Sequence, residues 1–148
     1  MGAPDQLSKK RLKLWIRLLG VTRSAERRLR DFLRVEHGTT LPRFDVMAAL
    51  WRRQGGMTMS ELSRMLLVSG GNTTVVVEAL EKEGLAQRTP SAADRRSVRV
   101  ALTARGRAEF ERIAARHEAE IDRIFVALTE SEIDALADAF KRLSGKTP

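Results

Sequence analysis

The sequence lacks cysteine, contains only two histidines and has no long run of apolar residues. Without cysteine it has no disulfide, thiolate metal site or cysteine nucleophile, which fits a reducing compartment. No segment approaches the about 18 uncharged apolar residues of a membrane span, which excludes a transmembrane protein. The first residues also lack the apolar segment of a signal peptide. We therefore expect a cytoplasmic protein that makes no membrane contact.

Sequence features of an enzyme are missing as well. There is no phosphate-binding glycine motif, no nucleophile elbow and no recognisable set of Ser, His and Asp. His37 and His117 are far apart and have no carboxylate at ligand spacing, so neither a metal site nor a cofactor is expected. A late acidic cluster is interpreted as the outer face of a helix: Glu109, Glu111, Glu118, Glu120 and Asp122.

Positive charge is what the sequence has in excess. It carries 27 Lys and Arg against 19 Asp and Glu, a net charge of +8. The excess lies in residues 1–107, whereas residues 108–148 are acidic. A basic domain attracts polyanions, and nucleic acid is their commonest form, although an anionic membrane surface fits a basic surface too. Charge alone leaves the partner open.

A chain of 148 residues is expected to form one unit, 1–148. Apolar residues at spacings of three and four predict a long amphipathic helix over 7–37, weakened at Gly20. The same period predicts further helices at 42–53, 58–67, 69–83 and 104–128, and a last one through Leu143. Over 85–102 the period changes to two, which predicts a two-stranded ribbon with a charged tip. Residues able to cap these helices are Thr40, Thr58, Ser69, Thr103 and Thr129.

Three helices followed by a hairpin, over 42–102, predict a winged helix-turn-helix. The last two of the three helices form the helix-turn-helix itself, and the second of that pair, over 69–83, protrudes and fits a DNA major groove. In the helix over 69–83 four residues are expected to face inward: Thr73, Val76, Val77 and Leu80. The outward residues are then Gly70, Gly71, Thr74, Val75 and Glu78. Ser69 and the amides after it would lie at the positive end of the helix dipole, where a phosphate is favoured. A second interpretation, with Gly70-Gly71 in a loop and the helix starting at Asn72, stays open.

Four segments together resemble the MarR family of bacterial transcription regulators: 68–74, 80–88, the Ala93-Asp94-Arg95-Arg96-Ser97 turn, and Val100 to Gly106 with its Leu-Thr-x-x-Gly pattern. The resemblance covers essentially the whole chain. It implies a mainly α fold with a small two-stranded β-wing, in which terminal dimerisation helices at 7–37 and 104–145 flank the winged helix-turn-helix. It also implies a homodimer whose two winged domains each read half of a palindromic operator in double-stranded DNA.

The resemblance assigns roles to individual residues. Asp94 would orient the wing by pairing with Arg95 or Arg96, and the other arginine would enter the minor groove. The expected DNA contacts are then Ser69, Gly70, Gly71, Asn72, Thr74, Val75, Arg95 and Arg96. The arginine-rich face of the first helix is interpreted as solvated rather than as a DNA contact.

The family also places an effector site between the dimer body and the winged domain. An apolar cleft lined by Trp15, Met47 and Trp51 there would suit a small aromatic acid. The sequence thus indicates a ligand-responsive repressor. The alternative is a non-enzymatic interaction module or a nucleoid-type DNA binder without a defined operator.

Overall fold

The computed structural model describes residues 5–66, 72–90 and 98–145. It is mainly helical with one small sheet, as the sequence predicts. In chain order the elements are α1 (Gln6–His37), α2 (Leu41–Arg52), β1 (Met57–Thr58), α3 (Met59–Leu66), α4 (Thr73–Lys82), β2 (Ala86–Pro90), β3 (Val98–Leu102), α5 (Ala104–Phe125) and α6 (Glu130–Leu143).

The sheet has three antiparallel strands in the order β1-β3-β2, one more than the predicted ribbon. Met57 pairs with Val100, and Ala86 pairs with Leu102. The predicted two-stranded ribbon is present as β2 and β3. The sequence did not indicate β1, because it is only two residues long and shows no alternation of apolar and polar residues. Thr58 also caps α3, so the sequence around it indicates the start of a helix rather than a strand.

The helix starts follow the predicted capping chemistry, with one correction. Thr58 and Glu61 form the expected reciprocal bonds, at 3.1 and 3.2 Å, and Thr129 and Glu132 form a second capping box. Thr40 and Thr103 also accept bonds from first-turn amides. The N-cap of α4 is Asn72 rather than Ser69, so the helix begins three residues later than its first predicted cap implies. Two glycines in a helical turn cost conformational entropy, whereas Asn is among the best N-cap residues.

Helix α1 has the predicted extent, whereas α5 is shorter than predicted. Helix α1 continues through Gly20 to His37 and ends at Gly38 in the left-handed conformation with φ 60°. At the other end of the chain α5 stops at Phe125, three residues before the predicted boundary, and a short turn precedes α6.

One hydrophobic core lies where α2, α3, α4 and β3 meet, closed by the C-terminal end of α1 and by α5. Its most completely buried side chains are Leu33, Met47, Leu50, Leu62, Leu66, Leu80, Val46, Val77 and Val100. The N-terminal half of α1 and all of α6 stay outside this core, because none of their described residues is buried.

The prediction that the late acidic cluster is a solvated face was wrong for Glu120, which is only 8% exposed. Its carboxylate accepts hydrogen bonds from Arg28 of α1 at 2.6 Å and from Arg123 at 3.0 Å. A buried carboxylate needs such partners. Because Arg28 lies 92 positions away in the sequence, no local pattern indicates this pair.

Within these described ranges, no helix is long and apolar enough to cross a membrane. In the same part of the chain, no three His, Asp or Glu side chains cluster in a way that would hold a metal ion.

Candidate nucleic-acid interface

Helix α4 presents two different faces. Thr73, Val76, Val77 and Leu80 are buried, as the sequence predicts. Asn72, Thr74, Val75 and Glu78 are exposed, and Val75 keeps 61% of its surface accessible although it is apolar. The helix is thus anchored along one side, and Thr74 and Val75 leave a hydroxyl and three methyl groups exposed on the other, the kinds of group that can contact base edges in a major groove.

The N-terminus of α4 is closed locally by Asn72. Its side-chain oxygen accepts a hydrogen bond from the Val75 amide at 3.3 Å. The other amides of the first turn have no partner within the helix, since an α-helix leaves its first N–H groups unpaired. Together with the helix dipole they favour a negatively charged group, such as a DNA phosphate, at this end.

The C-terminal end of α4 is fixed to its neighbours by ion pairs and a glycine turn. Arg43 of α2 donates to Glu83 at 2.8 Å, and Arg88 of β2 donates to Glu81 at 2.8 Å. Gly84 follows in the left-handed conformation, with φ 73°. The exposed face of α4 is therefore held in a defined orientation relative to α2 and the wing.

Several predicted DNA contacts lie outside the described residues. They are Ser69, Gly70 and Gly71, in the segment 67–71, and Asp94, Arg95 and Arg96, in the segment 91–97. Their roles stay predictions. The structure does describe the strands on either side of the wing tip, which remain paired out to Pro90 and Val98.

Two glycines hold the wing in place, a role that the sequence alone did not indicate. Gly56 has φ 81°, its carbonyl accepts a bond from Arg99 at 3.3 Å, and a Cβ there would lie 2.7 Å from the Val100 oxygen. Gly106, in the first turn of α5, packs against the wing base so closely that a Cβ would lie 1.8 Å from the Leu85 oxygen. The Leu-Thr-x-x-Gly pattern marked Gly106 in the sequence, but nothing in the sequence indicated that Gly106 contacts Leu85.

Thr103 completes this junction between the wing and α5. Its amide donates to the Leu85 carbonyl at 3.0 Å, and its hydroxyl donates to the Gly84 carbonyl at 2.7 Å. The same hydroxyl accepts from the Gly106 amide at 2.9 Å and caps α5. One threonine thus ties the start of α5 to the segment that connects α4 with the wing.

The three residues predicted to line an effector site differ in exposure. Met47 is 2% exposed and belongs to the core, whereas Trp15 and Trp51 are 56% and 40% exposed. Trp51 packs against Phe110 and its indole N–H donates to Glu111 at 3.1 Å. Whether an effector binds near these residues stays a prediction.

Both histidines pack against aromatic rings, His117 where α5 meets α2 and His37 at the C-terminal end of α1. His117 stacks on Phe44 with ring centroids 4.3 Å apart, and burial lowers the pKa of His117. His37 meets Phe32 edge to face at 5.1 Å, and its pKa is lowered by burial and then by the charges of Arg112 and Arg116. Both rings therefore favour the neutral form.

The buried hydrophobic side and exposed polar side of α4, together with its wing, define a winged helix-turn-helix DNA-binding protein. A family model described as "MarR family" matches residues 37–97. The HTH-type transcriptional regulator YkoM of Bacillus subtilis is 33% identical over 72% of this chain and 69% of its own length. The chain belongs to the MarR family.

Two further comparisons agree with this assignment. The HTH-type transcriptional regulator MhqR of Bacillus subtilis is 29% identical over 93% of each chain. The structure of a mutant MarR from E. coli in complex with operator DNA superposes with a TM-score of 0.74 at 25% identity, covering 95% of this chain and 99% of that one. The protein is a DNA-binding transcription regulator and not an enzyme, as the sequence predicts.

Proposed function

We propose that this regulator is a homodimeric repressor that reads a palindromic operator in double-stranded DNA. The observation that carries the proposal is the division of α4 into a buried side and an exposed side with Thr74 and Val75. A helix of this kind reads few base pairs, so two copies related by a two-fold axis are needed to define an operator. The operator complex of the E. coli relative supports this mode of binding.

Apolar surface outside the core supports the dimer. Residues of α5 and α6, including Phe125, Ile133, Leu136 and Phe140, line an apolar groove of about 500 Å³. On α1 the exposed apolar residues Leu7, Leu14 and Val21 lie on one side of the helix at its 3.6-residue period. Contiguous surface of this kind is unusual on a monomer, and a second copy would cover it through a self-complementary interface.

Selection from a random pool tests the DNA-binding part. The purified full-length protein is mixed with random duplexes, and the bound fraction is sequenced after repeated enrichment. We expect an inverted repeat with half-sites about one helical turn apart, 10–10.5 bp. Enrichment without any repeat would support the nucleoid-type alternative instead, and absence of DNA binding would support the interaction module.

Light scattering tests the dimer independently of DNA. At micromolar concentration the mass should be twice the 16.6 kDa of the single chain. A folded species at the single-chain mass would contradict the half-site argument.

We further propose that a small aromatic acid releases the protein from its operator. Because Met47 is buried in the core and Trp51 is exposed, a ligand that binds near α2 and α5 would contact Trp51 rather than Met47. Aromatic acids are titrated against wild type and Trp51→Phe, following tryptophan fluorescence and the anisotropy of labelled operator. A binding acid should change both signals in wild type and lose its fluorescence effect in the variant, which retains Trp15. No response to a broad panel in either assay would refute this part of the proposal.

A further inference from the structure

Helix α1 is the most basic element of the chain. Gln6–His37 contain ten Lys and Arg against three Asp and Glu, a balance of +7 in a chain whose total is +8. Residues 38–107, with the winged helix-turn-helix, carry eleven Lys and Arg against six Asp and Glu, a balance of +5, and residues 108–148 have a balance of −3. A large positive charge therefore lies on a helix that does not read bases, in addition to the charge of the winged region.

Most of this charge has no partner inside the protein. Within the described part of the chain, eight of the ten cations form no ion pair; the exceptions are Arg28 with Glu120 at 2.6 Å and Arg34 with Asp31 at 3.5 Å. In the described part of the winged region three arginines do have carboxylate partners, in the pairs Arg43–Glu83, Arg88–Glu81 and Arg53–Glu61. The unpaired cations on α1 are thus available to an external anion.

Six exposed cations share one side of α1, and we call them the α1 basic stripe: Lys9, Lys13, Arg23, Arg27, Arg30 and Arg34. At 3.6 residues per turn they fall within about 100° of the helix circumference and extend over about 37 Å. Leu7, Leu14 and Leu18 lie on the opposite side, whereas Leu12, Ile16 and Asp31 fall within the sector of the stripe. A dimer that covers only the opposite side leaves the α1 basic stripe in solvent.

We propose that the α1 basic stripe binds the phosphate backbone of a second DNA segment, outside the operator and independently of its sequence. Its length is close to one turn of duplex DNA, about 34 Å, along which phosphates present one charge per about 1.7 Å. The recognition helix α4 packs on α2, α3 and β2, whereas α1 packs on α2 and α5. The two surfaces belong to different elements and are occupied at the same time.

The same features argue against a membrane as the partner. A basic amphipathic helix binds a bilayer by burying its apolar face among the lipids. In α1 that face is the surface assigned to the dimer, so this step of the argument rests on the proposed function. A DNA backbone needs only the cations.

The experiment uses full-length protein first saturated with the selected operator duplex. A fluorescent duplex of unrelated sequence is then titrated in at low salt and its anisotropy recorded. We expect it to bind the preformed complex with a Kd of about 1–100 μM, the range of nonspecific contacts. In Arg23→Gln/Arg27→Gln this binding should weaken about fivefold or more. The slope of log Kd against log salt should fall by about 2 for the two lost phosphate contacts.

The matched control is Lys141→Gln/Arg142→Gln, which removes the same charge from exposed positions of α6. It should change binding of the second duplex less than about twofold, and both variants should retain operator affinity. Absence of second-duplex binding, equal loss in the two variants, or binding only to phosphatidylglycerol vesicles would overturn the proposal. If no operator is enriched, the proposed function fails, while the two variants compared on an unrelated duplex still test the stripe.

Discussion

Replacing Gly106 with alanine tests the junction between the wing and α5. The added Cβ would lie 1.8 Å from the Leu85 carbonyl oxygen, a backbone atom that no side-chain rotation moves. To reach an ordinary contact, α5 and the wing base must separate by more than about 1 Å. That separation stretches the bonds from Thr103 to the Leu85 and Gly84 carbonyls, which are 3.0 and 2.7 Å long in the native junction.

The size of the effect follows from these contacts. Overpacking costs about 1–3 kcal/mol, and weakening two hydrogen bonds adds about 1 kcal/mol each. The higher helix propensity of alanine stabilises the folded state by only about 1 kcal/mol relative to glycine. We therefore expect the free energy of unfolding to fall by about 3 kcal/mol. For a domain of this size this lowers Tm by about 6–12 °C.

Gly20→Ala is the matched control, because Gly20 lies within α1 and a Cβ there meets nothing within 4 Å. It should raise Tm by about 2–4 °C through helix propensity alone. Both variants are measured by circular dichroism melting at equal protein concentration. If Gly106→Ala melts within 1 °C of wild type, the wing and α5 are not held by this contact and the reasoning is wrong.

Three further substitutions test other parts of the structure. Glu120→Gln should lower stability by about 2 kcal/mol in urea titration, because two arginines would lose a charged partner. Arg28 holds the pKa of Glu120 below its usual range, so this stability is present at neutral pH and is lost as the pH falls through the folded-state value. Burial lowers the pKa of His117, so the free energy of unfolding should fall as the pH drops below about 6.5. His117→Phe should remove only part of this pH dependence, because the pKa of His37 is lowered as well. Val75→Ala should weaken operator binding about fivefold and relax preference at one base pair per half-site, without changing Tm, as filter binding and melting would show.

The features that could be predicted from the sequence depend on neighbours close in the chain. The capping box at Thr58 needs only Glu61, three residues on, and the burial pattern of α4 follows from helical spacing alone. The start of α4 was harder, because Ser69 and Asn72 both have capping side chains. Which of the two caps the helix depends on the conformational entropy that two glycines lose when they are placed in a helical turn.

The features that could not be predicted depend on residues far apart in the sequence. Glu120 belongs to an acidic cluster whose other members are not buried, and only the approach of Arg28 makes its burial tolerable. Gly106 was visible as part of a motif, but the need for glycine comes from Leu85, which approaches only after the wing has folded back on itself. Strand β1 has no signal of its own and exists because β3 offers an unpaired edge.

Helix α5 connects these long-range contacts in a single rigid element. Its first turn is tied to the wing base through Thr103 and Gly106, its middle stacks on α2 through His117, and its later turns meet α1 through Glu120. In the proposed dimer, the outer half of α5 belongs to the body that sets the distance between the two recognition helices. A shift in that body therefore moves the wing and α4 together rather than being absorbed at a flexible linker. In the proposed dimer, an effector of the kind proposed above would need to bias only the packing of α5 against α1 or α2 to change the distance between the two recognition helices.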